Sequence, residues 1–96
     1  MITVITTIEC KEEYVDFIKK ELCKLVPTTL NEFGCITYKF YQDQNNPNFF
    51  HSFEIWVSQE EIDKHLKTKP ILNFFKISKI CLNNFVIREM KEICKG

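Results

Sequence analysis

The chain is 96 residues long and carries thirteen basic and thirteen acidic residues, for a formal net charge of zero. That length makes a single domain of ordinary small size, 1–96, and the even charge balance excludes a partner captured by field alone, whether nucleic acid or anionic membrane. Nine Phe, three Tyr and one Trp are a heavy aromatic load, which calls for an aromatic core, a second subunit or an apolar ligand.

Ile2 to Glu9 alternates and is dense in Ile, Val and Thr, which predicts a strand. Lys11 to about Thr29 predicts a helix, with Tyr14, Val15, Phe17, Ile18, Leu22, Leu25 and Val26 at helical spacing. Pro27 is expected to kink or end it, because proline lacks an N–H and crowds the carbonyl four residues back. Gly34 should close the segment with a positive φ. Cys35 to Gln42 is the second expected strand, with Ile36, Tyr38 and Phe40 on one face. The polar turn Asp43 to Pro47 joins it to a third strand, Phe49 to Val57, as an antiparallel hairpin.

Alternation in that third strand puts Phe50, Ser52, Glu54 and Trp56 on one face and Phe49, His51, Phe53, Ile55 and Val57 on the other. Both faces are largely apolar, so both need cover. Ser58, with Glu61 three residues later, predicts a capping box opening a helix from Gln59 to Lys67. Pro70 starts a further helical piece, Ile71 to Leu82, with Leu72, Phe75 and Ile80 as its expected inner positions. Asn83-Asn84 reads as a break before a last strand, Phe85 to Ile93.

The order β-α-β-β-α-β is the ferredoxin-like α+β arrangement, an antiparallel sheet with helices on one face. Its uncovered sheet face predicts a homodimer built face to face.

The five cysteines, at 10, 23, 35, 81 and 94, show no C-x-x-C spacing, so neither a metal site nor a disulfide framework is expected. The start MITVITTIE lacks a signal-peptide pattern, and no apolar run approaches the ~20 residues of a membrane span. A reducing cytoplasm is the expected compartment.

Candidate chemistry concentrates in one strand-helix unit. Glu54 is a carboxylate among aromatics, a candidate proton acceptor or substrate anchor, with Arg88 or Lys39 as its possible ion-pair partner. Trp56 is a candidate stacking surface for a flat substrate, and His65 a candidate base, since imidazole exchanges protons near neutrality. Tyr38 and Asn31 are placed near a pocket entrance, and Arg88 is a candidate donor to an oxyanion. His51 falls on the opposite strand face and reads as an interface residue.

The stretches MITVI, LVPTTLNEFGCITY and NPNFFHSFEIWVSQEEIDKHLKT, and within the last the set Glu54, Trp56, Ser58 and His65, are similar to the antibiotic biosynthesis monooxygenase (ABM) family of dimeric α+β barrels. The resemblance runs nearly end to end. It implies a homodimer, an apolar pocket between sheet and helices, and oxygenation of quinols, anthrones or related phenols by dioxygen without metal, haem or flavin. Pro70 stands where family members often have a second His, and Ile62 and Ser52 stand where some anthrone oxygenases carry Tyr and Asn. The expected activity is therefore cofactor-independent oxygenation of a quinol or related phenol. The rival readings are an isomerase or lyase of a small carbonyl metabolite on the same frame, and a non-catalytic binder.

Overall fold

Alternation in the sequence becomes alternation of burial in the sheet. Val4, Thr6, Ile8 and Cys10 of the first strand and Phe50, Ser52, Glu54 and Trp56 of the third are buried, while the residues between them are half covered. The computed structural model describes residues 1–96. In order it contains β1 (Ile2–Cys10), a short 3-10 turn (Glu12–Tyr14), α1 (Val15–Leu30), β2 (Cys35–Gln42), β3 (Phe49–Trp56), α2 (Gln59–His65), α3 (Lys69–Cys81) and β4 (Leu82–Met90). The four strands form one antiparallel sheet in the order β2-β3-β1-β4, which is the expected ferredoxin-like arrangement.

The helices cover one sheet face. From α1, Ile18, Leu22, Leu25 and Thr29 pack inward at helical spacing; each large aliphatic so buried contributes about 1.5–3 kcal/mol. Pro27 does not end α1, which continues to Leu30 and closes where Asn31 N–H donates to the Thr28 and Thr29 carbonyls. Only one main-chain bond, from position 27 back to Cys23, is given up for this. Gly34 takes the positive φ expected of it, at +84°.

Four local expectations fail, each for a physical reason. Ser58 makes no side-chain cap, because Glu61, its expected partner, is buried beneath Gly34. Ile36 is exposed, because the β2–β3 register shifts between Cys35 and Thr37 and takes Ile36 out of the alternation that keeps Tyr38 and Phe40 inside. In α3 the inward residues are Ile71, Phe74 and Cys81, with Leu72 and Ile80 exposed and Phe75 half buried. Apolar residues sit side by side in that segment (Ile71-Leu72, Phe74-Phe75), so its periodicity fits two helix faces about equally well. Finally, Asn83-Asn84 is inside β4 rather than before it, the extra residue being absorbed by a bulge opposite Glu9 and Cys10. The strand ends at Met90, short of Ile93.

On the outer sheet face, Ile5, Phe53, Ile55 and Val86 are half covered and Tyr41 and Met90 exposed. Lys39 Nζ is 5.8 Å from the Tyr41 ring centre and 5.7 Å from that of Phe53, laying its aliphatic stem over apolar surface.

Candidate functional site

Between the inner sheet face and the helices lies a cavity with sixteen lining residues, thirteen of them hydrophobic. Val4, Ile8, Leu22, Ile71, Phe74 and Phe85 are among its apolar walls, and Ile87, exposed on β4, stands at its rim. Its polar lining is Thr6, Glu54 and His65, with Tyr38 beside them. Its volume is ≈ 40 Å³.

Strand register brings these groups together. Glu54 faces Val4 on β1 and Tyr38 on β2. It is 6 % exposed, and it accepts from Ser52 Oγ at 2.7 Å, Trp56 Nε1 at 2.9 Å and Thr6 Oγ1 at 3.4 Å. Thr6 N–H in turn donates to Ser52 Oγ at 2.9 Å, so a side chain takes the place of the usual ladder partner beside Glu54. Neither Arg88 nor Lys39 reaches it: Lys39 lies over the outer-face aromatics, and Arg88, facing Ile5, projects from that same outer face. The ion pair considered from sequence does not form. Three neutral donors satisfy the carboxylate instead.

Trp56 is completely buried and is absent from the cavity lining. Its indole backs the site rather than forming a wall of it, with its centre 4.7 Å from the His65 ring. Tyr38 meets His65 edge-on at 5.5 Å and Trp56 at 6.4 Å. Burial, with the nearby Glu54 charge second, pushes the Tyr38 phenol well above its ordinary range, partly offset by a hydrogen bond with Thr29. Tyr38 is therefore a neutral, aromatic part of the wall at physiological pH.

His65 is 4 % exposed at the end of α2. Its Nδ1 lies 3.0 Å from both carboxylate oxygens of Glu32. A carboxylate accepts, so Nδ1 carries the hydrogen. Nε2 has no partner in the protein, and every fully enclosed polar side-chain atom of the chain has one; Nε2 of this cavity-lining residue is therefore not fully enclosed.

Of the residues picked out from sequence, Tyr38, Glu54, Trp56 and His65 converge. Asn31 is exposed at the end of α1 and Arg88 sits on the other side of the sheet, and neither lines the cavity. His51 lies on the outer face as expected, against Thr7 Oγ1 at 3.3 Å. Sequence reasoning missed Glu32 and the Thr6–Ser52 relay. Glu32 has one available signal, its place two residues before Gly34. No group of three or more His, Cys, Asp or Glu side chains converges as a metal site anywhere in the chain, and no helix is long and apolar enough to cross a membrane.

A four-stranded antiparallel sheet, helices on one side and an apolar hollow with one polar end define a small pocket protein of the ferredoxin-like α+β class. A profile of the antibiotic biosynthesis monooxygenase family matches residues 1–77, and the chain belongs to that family. It is 33 % identical over 68 residues to the uncharacterized protein sll1783 of Synechocystis, a match covering 71 % of this chain but 44 % of that protein. The chain thus spans less than half the length of that relative. Among solved structures it is similar to PA3566 from Pseudomonas aeruginosa, with a TM-score of 0.90 and 26 % identity over 97 % of this chain and 94 % of that one. A crystal structure described as an antibiotic biosynthesis monooxygenase superposes with a TM-score of 0.90 at 23 % identity, covering 98 % of this chain and 100 % of that one, a likeness of fold.

Proposed function

We propose that this chain is a monooxygenase acting on a neutral quinol or related phenol with dioxygen, working as a homodimer. The observation that carries this is the asymmetry of the cavity: an apolar body closed at one end by His65, Glu54 and Thr6, with no Lys or Arg among its lining residues. Such a site suits an uncharged ring with one hydroxyl to bind and is hostile to phosphate or carboxylate substrates.

His65 is the base in this reading. Nε2 accepts the hydroxyl proton, and the electron-rich quinolate then reduces dioxygen. One oxygen atom enters the ring and the other leaves as water, so that hydroquinone and O₂ give a hydroxyquinone and H₂O. Glu54 is the poorer base, since three donors already occupy its oxygens; its role is to hold Trp56 behind the imidazole. The cavity, at ≈ 40 Å³, is smaller than the ~150 Å³ apolar void that admits benzene. Entry of a ring therefore requires rim side chains such as Phe75 and Leu66 to move, and a single ring is favoured over a polycycle.

Oxygen uptake by the pure protein with reduced benzoquinones and naphthoquinones tests the proposal. His65→Ala is expected to lower turnover by roughly 10²-fold or more. Saturable quenching of Trp56 fluorescence by the same compounds, without oxygen uptake, would replace this reading by a binding protein.

A further inference from the structure

We infer that Glu32 is the positioning residue for His65: it holds Nδ1–H and so leaves the Nε2 lone pair as the reactive position toward the cavity. The inference deepens the reading of His65 as base and rests on it.

The geometry is specific. Both Glu32 oxygens lie 3.0 Å from Nδ1, so the contact is centred on the nitrogen and not a grazing one. Glu32 reaches across from the loop after α1, thirty-three residues away in sequence, and that loop is pinned on several sides. Glu32 N–H donates to the Thr29 carbonyl at 2.9 Å, and Cys35 N–H donates to the Glu32 carbonyl at 3.2 Å. Val57 N–H donates to the Gly34 carbonyl at 2.8 Å. The His65 side chain is 5 % and that of Glu32 22 % exposed, so the imidazole is enclosed while its carboxylate keeps one edge in water. Tyr38 and Trp56 pack on the ring, and neither competes for a ring nitrogen. An imidazole of this kind would otherwise distribute its hydrogen between its two nitrogens. Here an acceptor-only group selects one.

A merely structural contact would stabilise the loop and leave the imidazole chemistry alone, and the two roles separate experimentally. Nitrogen-15 NMR of the folded wild-type protein is expected to show neutral His65 with its hydrogen on Nδ1. Glu32→Gln, whose amide oxygen also accepts, should retain that tautomer. Glu32→Ala should shift hydrogen toward Nε2, with kcat on a reduced benzoquinone falling ~10–100-fold at nearly constant KM and recovering in part with added formate. A wild-type ring protonated on Nε2, or a Glu32→Ala ring with unchanged tautomer and kcat despite a lowered urea midpoint, overturns the inference. The tautomer is read without any reaction. A shifted tautomer in Glu32→Ala beside a wild type inert toward quinols supports the positioning role and sinks the oxygenase reading alone.

Discussion

Single residues divide here into those that touch the cavity and those that make its wall rigid. Glu54 belongs to both groups, and its exchange tests the second role. In Glu54→Gln the new NH₂ group must face one of three hydrogen-bond donors, Thr6, Ser52 or Trp56, so at least one is left unpaired in a dry interior. A loss of about 1–3 kcal/mol in urea unfolding is expected; a variant as stable as wild type would mean that these bonds do not hold the wall. The thiols and the phenol set the alkaline limit. Burial first, then the neighbouring Cys81 and Glu13, pushes Cys10 from its ordinary 9.0 up to about 11. Burial, then Glu32 and Glu54, does the same to Cys35, and Tyr38 is raised as well. The folded chain thus keeps protons that the unfolded chain has already released. Stability is full below about pH 9 and declines as pH rises toward about 11. A urea midpoint flat across that window would contradict the sign.

Among the elements, the α1–β2 loop and α2 depend on each other. At Gly34 a Cβ would stand 2.5 Å from Glu61 Cγ, on a backbone with φ of +84°. Gly34→Ala is expected to destabilise by about 2 kcal/mol or more, adding the left-handed backbone cost to the clash. Glu61→Ala made in the same chain should relieve the contact with Cγ but neither the 3.0 Å contact with the position-61 Cβ nor the backbone part, a non-additivity readable from a double-mutant cycle. The strands and the hairpin were legible in the sequence because alternation and the DQNNP turn are local signals. So were Tyr38, Glu54, Trp56 and His65, carried by the strand patterns of β2 and β3 and by the family resemblance. The inner face of α3 was not, since apolar residues stand next to each other along it. Glu32 was equally hidden: a charged loop residue has no period, and its partner is thirty-three positions away. Ser58 misled for a related reason, because the tertiary demand to bury Glu61 under Gly34 outweighs a local cap.

At the scale of the molecule, the helices leave one sheet face uncovered, and Ile5, Phe53, Ile55 and Val86 lie on it. A homodimer through this face is expected, with a sedimentation mass twice the 11.5 kDa of one chain. Ile55→Asp should convert it to monomer, because a carboxylate forced into an apolar contact loses hydration without a partner. An unchanged mass for that variant would move the interface elsewhere. The loop that carries Glu32 and Gly34 also has a kinetic consequence. Its two residues grip His65 and Glu61, one turn apart on α2, so any path that lifts α2 away to admit a guest also strips the imidazole of its carboxylate. A guest that passes Phe75 and Leu66 with α2 in place leaves the Glu32–His65 pair intact, so the route of entry decides whether the imidazole still has its carboxylate when the guest arrives.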